Sequence, residues 1–405
     1  MTYRVLLYGA TGYSGRLIAA EAKARDMAKA QTPREFRMIL AARDGKRLRE
    51  VAEENCMDYR VFALDDRAEI RSGLDGIDVL INAAGPFART AEPLAKAALQ
   101  AGCHYVDING EVDVYMKLDD LGWRAARRNL AMVCGAGNTA AASDLLLDSA
   151  LRGLARDKNE LGTVRIAVSR VMDFSRGSAE TVSRSLREQV IVVRKGHARD
   201  KPVDELVIWH EPVGKLERMF HLGRRGGDNH NADRQGGDNA DGDDRRIASA
   251  ANLVDTLTAR LTVVRNRFAV HGIESYVETG PVSRAAYQLG AMLASFSAIP
   301  WMRALTQAQL SLLPEGPTQE ELKRQRHVVV LEIEDAYRTR KIDWQWETPN
   351  VYQFTAQLVV EVARQVAATQ ENGWMTPAQA LRSLDLVKVD DSGPLRGCVL
   401  KQRPC

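Results

Sequence analysis

Along residues 1–145, short apolar runs alternate with longer segments whose apolar positions recur at helical spacing. The short runs are 4–8 (RVLLY), 36–41 (FRMILA), 59–64 (YRVFAL), 79–83 (VLINA), 104–107 (HYVD) and 131–134 (AMVC). Runs this short, closed by Gly, Pro, Asn or Asp, read as strands. The segments 13–30, 46–54, 92–101 and 112–128 are rich in Ala and charged residues and read as helices. Strand and helix alternating at this spacing form βαβ units, whose right-handed crossovers build a parallel sheet with helices on both faces.

After Gly135 the rhythm changes. Residues 140–154 and 181–194 read as helices, 163–171 as a half-buried strand, and 202–209, 261–264 and 267–278 as further strands. Residues 326–346 read as a hairpin, and 351–369 as an amphipathic helix. This is the pattern of a mixed α+β domain with an antiparallel sheet. Residues 223–246 (GRRGGDNHNADRQGGDNADGDDRR) lack the apolar residues needed to bury a core and read as a disordered insertion. Calcium-binding repeats fit them less well: the GGDN pairs lie ten residues apart and lack the large apolar residue that such repeats carry.

Composition narrows the function classes. With 56 Lys and Arg against 53 Asp and Glu, the net charge of +3 is too balanced for a protein that neutralises many phosphates. Only 6% of residues are aromatic, which disfavours stacking platforms for single strands. No nucleic-acid partner is expected. Cys56, Cys103, Cys134, Cys398 and Cys405 form no CxxC pair, so neither a zinc ribbon nor a disulfide framework is indicated. With no secretory leader pattern at the N-terminus, the expected location is cytoplasmic. Residues 285–302 (AAYQLGAMLASFSAIPWM) carry no charge. Their alternatives are a buried helix, an acyl tunnel or a peripheral membrane contact, since the length is marginal for a span.

The residues with chemistry cluster at the carboxyl ends of the first, second, fourth and fifth strands. In GATGYSG, Gly9, Gly12 and Gly15 sit on a strand-to-helix turn opening the βαβ series. Gly9 suits the tight turn, Gly12 admits a pyrophosphate close to the backbone, and Gly15 lets the helix pack on the strand. The phosphate then meets the free N–H groups and dipole of the helix start. Ala10, Thr11, Tyr13 and Ser14 complete this candidate lining. At the end of the second strand, LAARD offers Arg43 where an NAD-selective site carries a carboxylate. A guanidinium there suits a 2′-phosphate, which favours NADP(H), while Asp44 next to it leaves the opposite reading open. In INAAGPF, Ala84, Gly85 and Pro86 are placed to flank a nicotinamide. In HYVDINGE, Tyr105 and Asp107 are the candidate proton donors, with Glu111 nearby. The alternative for Asp107 and Glu111 is capping of the following helix. His210-Glu211 lacks the second histidine of a zinc-protease helix, and no metal site is indicated. Tyr337 and Lys341 have YxxxK spacing but fall on a strand, where they cannot share a helical face.

Together, GATGYSG, AARDGKRL, INAAGPF and AGCHYVDINGE resemble the saccharopine dehydrogenase-like NADP-binding family, which includes saccharopine reductases and trans-acting enoyl reductases. Weaker matches follow at 176–185, 352–363 and 373–380. The resemblance implies a Rossmann-type, doubly wound parallel sheet over 1–145. A second α+β domain with an antiparallel sheet over 146–350 is also implied, with 351–405 packing back on the first domain. It further implies an NADPH-dependent reductase transferring a hydride to a C=C or C=N bond of a small, acyl or lipid-like substrate. A non-catalytic NADP-binding regulator or lipid-associated scaffold is the alternative, and a homodimer is an open possibility. Relatives carry a GFDSxPSD-like turn after the sixth strand. Here it reads Gly135-Ala136-Gly137-Asn138-Thr139-Ala140-Ala141-Ala142-Ser143-Asp144: the aromatic and the proline are gone, while Ser143 and Asp144 remain.

Overall fold

In the computed structural model, the structure describes residues 2–28, 36–154, 160–169, 190–198, 201–211, 215–222, 245–279, 315–335, 337, 339–384, 386 and 394–403. The chain first runs β1 (Tyr3–Tyr8), α1 (Tyr13–Ala28), β2 (Phe36–Ala42), α2 (Gly45–Asn55), β3 (Asp58–Val61) and α3 (Arg67–Gly73). It continues β4 (Val79–Asn82), α4 (Phe87–Ala101), β5 (His104–Asp107), α5 (Val112–Ala126), β6 (Ala131–Val133) and α6 (Asn138–Gly153). Then come β7 (Glu160–Val168), β8 (Val190–Ala198), β9 (Lys201–Glu211), β10 (Glu217–His221), β11 (Arg245–Ala250), α7 (Val254–Arg265) and β12 (Ala269–Glu278). The last part is α8 (Gln319–Arg324), β13 (Arg326–Asp335), β14 (Arg340–Pro349), α9 (Val351–Ala367), β15 (Gly373–Met375), α10 (Pro377–Ala380) and β16 (Val399–Gln402). Two compact units result: Met1–Leu145 with Tyr352–Arg396, and Leu146–Val351 with Gly397–Cys405.

The first unit is built on a seven-stranded parallel sheet in the order β15-β6-β5-β4-β1-β2-β3. Its central strands are apolar on both faces, with Val5, Leu6, Leu7, Leu80 and Ile81 fully buried, as helices on both sides of a parallel sheet require. From β1 the chain winds outward through β2 and β3. It then returns to β4 on the other side of β1 and winds away through β5 and β6. The strand order therefore reverses between β1 and β4, the position where open α/β sheets form a ligand crevice. The helices have legible ends. Asp44 caps α2 by accepting N–H bonds from Lys46 and Arg47, and Gly102 stops α4 in the left-handed region at φ +76°.

Three elements of this unit escape the sequence reading: α3, β15 and the four-residue α10. Helix α3 is only seven residues long. Strand β15 is three residues long and pairs in parallel with β6, so residues far along the chain supply the last strand. Arg25 ties α1 to this returning segment: its guanidinium donates to Glu361 at 2.8 Å, the Gln357 carbonyl at 2.9 Å and the Pro394 carbonyl at 2.8 Å. Arg396 in turn donates to both carboxylate oxygens of Glu21 on α1.

The second unit is a nine-stranded sheet: β10-β11-β12-β7-β13-β14-β16, with β8 paired to β12 and β9. It differs from the expected antiparallel sheet in one pairing, because β12 runs parallel to β7 over eight residue pairs. The expected hairpin at 326–346 is β13–β14. Phe220, Tyr276, Val190, Val192 and Val330 share one buried cluster, with the Phe220 and Tyr276 rings 5.1 Å apart. Next to it, Arg165 donates to Glu274 at 3.1 Å and pairs with Glu334 at 2.6 Å, and the Tyr276 hydroxyl donates to Glu274 at 2.7 Å.

Several expectations need correcting. Residues 190–194 form part of strand β8 rather than the end of a helix, because Val190–Val193 are paired with β9 and buried; residues 181–189 lie outside the described residues. Residues 261–264 belong to helix α7, whose Thr256 hydroxyl bonds to Ser275 of β12; a four-residue apolar run does not carry its own period. Arg245 and Arg246, placed in the insertion, open strand β11, while 223–244 lie outside the described residues. The tail does not all return to the first unit. From Gly397 it joins the second, where β16 pairs with β14. The apolar stretch 285–302 and the weak match at 176–185 also lie outside the described residues. Among the described residues, no helix is long and apolar enough to cross a membrane.

Candidate nucleotide site at the carboxyl edge of the parallel sheet

The β1–α1 turn is held by the ends of β2 and β4. The N–H groups of Gly9 and Ala10 both donate to the Ala41 carbonyl, at 2.8 and 3.2 Å, and Ala83 donates to the Tyr8 carbonyl at 2.9 Å. The three glycines of the turn do different work. Gly9 has φ +92°, and a Cβ there would lie 2.7 Å from the Ala84 nitrogen. At Gly15 a Cβ would lie 2.1 Å from the Gly9 carbonyl oxygen, so α1 sits on β1 only because Gly15 has none. Gly12 is unlike both: a Cβ there would meet only the Gly9 oxygen, at 3.4 Å. Space therefore opens beside Gly12 at the start of α1, where the first-turn N–H groups have no carbonyl within the helix. A diphosphate fits that opening, and the helix dipole favours it.

Arg43 and Asp44 are both exposed at the end of β2, and their roles separate. The Asp44 carboxylate accepts N–H bonds from Lys46 and Arg47, both at 3.1 Å, and so belongs to the α2 cap. Arg43 lies near Tyr8: burial raises the Tyr8 phenol, and the Arg43 charge opposes that shift. The carboxylate is thus taken up by the helix cap, while the Arg43 charge acts on Tyr8 at the end of β1. Residues 82–86 form the opposite wall. Asn82 is fully buried; its Oδ1 accepts from Ala84 N at 3.0 Å, and its amide donates to Thr90 and to the Tyr105 oxygen, each at 3.3 Å. Thr90 donates to the Ala84 carbonyl at 2.5 Å. Ala84, Gly85 and Pro86 therefore form a pinned loop, and a Cβ on Gly85 would meet nothing within 4 Å.

Tyr105 and Asp107 come together, but not as proton donors to a substrate. Both are fully buried. The Tyr105 hydroxyl donates to Asp107 Oδ2 at 3.0 Å, while Asp107 Oδ1 accepts from Asn109 N at 3.0 Å and Gly135 N at 2.9 Å. Burial pushes the Asp107 carboxyl up to about 6, although these hydrogen bonds oppose the rise. Burial likewise raises the Tyr105 phenol, and the neighbouring Asp107 adds to that. Neither side chain reaches solvent, so neither touches a substrate entering from it. Asp107 instead joins the β4, β5 and β6 ends, through Tyr105–Asn82, Asn109 and Gly135. This corrects the catalytic assignment of both residues. Glu111 does not cap the helix that follows it; its carboxylate accepts the N–H of Phe87 at 3.0 Å and so caps α4. Among the described residues, no cluster of three His, Cys, Asp or Glu side chains is arranged to hold a metal ion.

The altered turn after β6 is also tied down. Gly135 has φ +75°, Ala136 N donates to the Asp107 carbonyl at 2.7 Å, and Asn138 N donates to the Thr355 hydroxyl at 2.9 Å. Ser143 and Asp144 are buried in α6 rather than lining the crevice. Asp144 accepts the N–H of Ala378 at 2.7 Å, which connects α6 to the GWMTPAQA segment. The sequence reading missed Asn82, Thr90, Thr355 and Tyr352, whose ring meets Tyr13 of the glycine turn edge-on at 5.0 Å. For Asn82 a signal was present: an amide inside an apolar strand has to find partners. For Tyr352 and Thr355 the match at 352–363 placed the segment against the first domain but not its partners, which lie more than two hundred residues earlier in the chain.

Known proteins match this arrangement. Residues 5–140 match the saccharopine dehydrogenase NADP binding domain. A trans-acting enoyl reductase of Mycobacterium ulcerans (strain Agy99) is 28% identical over 204 residues, covering 46% of this chain and 45% of that protein. The corresponding protein of Mycobacterium leprae (strain TN) is 29% identical over 164 residues, covering 38% and 37%. The matches thus span less than half the length of these curated relatives. Among solved structures, apo saccharopine dehydrogenase (L-Glu forming) from Saccharomyces cerevisiae superposes with a TM-score of 0.58 at 12% identity, covering 99% of this chain and 100% of that one. Homospermidine synthase from Legionella pneumophila, solved with NAD, gives 0.57 at 11% identity, covering 100% and 92%. At such identities these two show a shared fold. The resemblance carried by the motifs is borne out: residues 5–140 match the saccharopine dehydrogenase NADP binding domain, and part of the chain is similar to the trans-acting enoyl reductases.

Proposed function

We propose that this chain is an NADPH-dependent reductase acting on the polarised C=C bond of an acyl or lipid-like substrate. The observation that carries the cofactor half is the division of labour at the crevice: Gly12 leaves diphosphate-sized room, and Asp44 is spent on a helix cap while Arg43 remains. Gly9, Ala10, Thr11, Gly12, Tyr13, Ser14 and Gly15 would hold the diphosphate, with Arg43 on the 2′-phosphate. Ala84, Gly85 and Pro86 would lie along the nicotinamide. When bound, the cofactor supplies the hydride. The chain's own part is orientation. The Asn82–Thr90–Ala84 bonds hold one wall of the crevice, and Asp107 holds the strand ends beneath it. The acyl substrate class draws support from the enoyl reductases to which the chain is related.

A second reading, an NADP-binding regulator without turnover, draws support from the burial of Tyr105 and Asp107, which takes both expected proton donors away from the crevice. One experiment separates the readings. Oxidation of NADPH is followed in single turnover against a panel of enoyl thioesters and a panel of imines. Turnover on enoyl thioesters supports the proposal. Turnover on imines alone reassigns the bond. Tight NADPH binding without turnover on either panel replaces the enzyme with the regulator.

A further inference from the structure

The turn that would hold the diphosphate has little to fix it from within. The first intrahelical bond of α1 runs from Arg16 N to the Gly12 carbonyl at 3.0 Å, which makes Gly12 the cap residue. The N–H groups of Tyr13, Ser14 and Gly15 then have no carbonyl within the helix. A glycine cap offers no side chain to accept from them, and no acidic residue stands in the first turn. Three glycines within residues 9–15 also give this backbone much freedom to lose when it is ordered.

Support comes from far along the chain. Tyr13, Glu21 and Arg25 lie at multiples of four along α1 and so form one ridge. Each meets the returning segment: Tyr13 at the Tyr352 ring, Glu21 at Arg396, and Arg25 at Gln357, Glu361 and Pro394. Tyr352 is buried, and its own helix is anchored. Three residues on, along the same face of α9, the Thr355 hydroxyl accepts Asn138 N at 2.9 Å. The first turn of α9 thus holds both the glycine turn after β1 and the turn after β6, one on each side of the strand-order reversal. The edge-on contact at 5.0 Å makes the Tyr352 ring a stop for the Tyr13 ring. A Tyr13 side chain so fixed sets the direction of its own N–H and of its neighbour on Ser14, because both belong to the same first turn.

We infer that Tyr352 is a positioning residue for the nucleotide: by fixing Tyr13 it preorganises the N–H groups that take the diphosphate, so that cofactor affinity is set in part from α9. The inference rests on the nucleotide reading of the crevice. Without the Tyr352 ring the glycine turn still folds, but its freedom is then lost on binding rather than on folding, and affinity falls accordingly. The 2′-phosphate end is insulated from this change. Arg43 follows β2, which lies on the other side of β1 from the β6 turn that α9 holds.

The test is titration of the full chain with NADP+ and, separately, with adenosine 2′-monophosphate, which carries the 2′-phosphate but no diphosphate. Tyr352→Leu keeps apolar bulk and removes the ring. It is expected to weaken NADP+ about three- to tenfold, the range one edge-to-face pair supports, and to leave adenosine 2′-monophosphate within about twofold. Tyr352→Phe keeps the ring and should bind as the wild type does. Tyr13→Leu, on the half-exposed partner, should reproduce the loss. Adding Tyr352→Leu to it should cost no more, since both remove the same contact. Tyr13→Leu also reads the pair if Tyr352→Leu fails to fold. Equal weakening of both ligands by Tyr352→Leu, or losses that add in the double variant, overturns the inference while leaving the nucleotide site in place. So does NADP+ affinity unchanged in both single variants. A wild type that binds neither ligand removes the nucleotide reading itself, and the inference with it.

Discussion

The Tyr105 hydroxyl donates to the Asp107 carboxylate at 3.0 Å, and both side chains lie entirely inside the first unit, below the crevice they were expected to serve. Through Asn82, Asn109 and Gly135 this pair connects the ends of three adjacent strands. A carboxylate with this many buried donors shapes the crevice; it does not enter it.

The first prediction follows from that placement. Asp107→Asn keeps an acceptor for the two N–H donors and offers the Tyr105 oxygen an amide donor, so NADPH binding should survive within a fewfold. Asp107→Ala strands those donors and should cost roughly 2–4 kcal/mol of stability, measured by urea unfolding. The pH dependence has a definite sign. The folded carboxyl is raised to about 6, above its unfolded value, so its contribution is fully present below the unfolded pKa and is lost as pH rises through the folded one. Between ~pH 4 and ~pH 6 the wild type should therefore lose on the order of 3 kcal/mol relative to Asp107→Asn.

The glycine turn separates folding from binding. Gly12→Ala places its Cβ in ordinary contact with the Gly9 oxygen and nothing else, so the melting temperature should move by no more than ~2 °C while NADPH affinity falls at least ~10-fold, read by fluorescence titration. Gly15→Ala drives a Cβ to 2.1 Å from the Gly9 oxygen and should lose both stability and binding. Equal damage from the two substitutions would remove the diphosphate from beside Gly12.

Arg43 and Asp44 should divide along the same line. Arg43→Ala is expected to weaken NADPH by about 10- to 100-fold with little effect on NADH, the magnitude of one charge-assisted bond. Asp44→Ala should instead cost about 1 kcal/mol of stability through the lost α2 cap, leaving the ratio of the two affinities where it was. Competition binding with both cofactors checks each outcome.

Arg25 and Glu361 predict acid sensitivity. Burial alone would raise Glu361, but hydrogen bonds from Arg364 and Gln365 and the Arg25 charge bring its pKa below the usual carboxylate value. A lowered folded pKa means stabilisation present above the unfolded pKa and lost as pH falls through the folded one. Arg25→Met should reduce stability at neutral pH by about 2–4 kcal/mol, since it removes three donors from buried acceptors. It should also flatten the acid limb of the melting profile.

Much of this fold could be read along the chain, and the reason is locality. In β1–α1, the apolar run, the three glycines and the helical segment all lie within residues 3–28, so one stretch of sequence specifies strand, turn and helix together. The same holds for Asp44 and Gly102, whose capping roles depend on neighbours within four residues. Where partners are distant, the reading failed in proportion. Residues 261–264 and 190–194 are short apolar runs compatible with either period, and only the strands beside them decide. Tyr105 and Asp107 show the same limit at the site. Their residue types and their position at a strand end fit proton transfer. Whether they open to the crevice or close beneath it depends on Asn82, Asn109 and Gly135 converging from the ends of three adjacent strands.

By itself, then, the sequence determined the parallel βαβ series, the glycine turn and the cation at the end of β2, since each rests on contacts a few residues apart. The resemblance anticipated the return of α9 to the first unit, but the tertiary structure alone decided that β15 adds a strand to its sheet. It alone decided that the last strand belongs to the second, and that Asp107 supports the crevice rather than facing it. Those outcomes rest on hydrogen bonds and burial between segments up to several hundred residues apart, and no local pattern encodes which distant group fills a given acceptor.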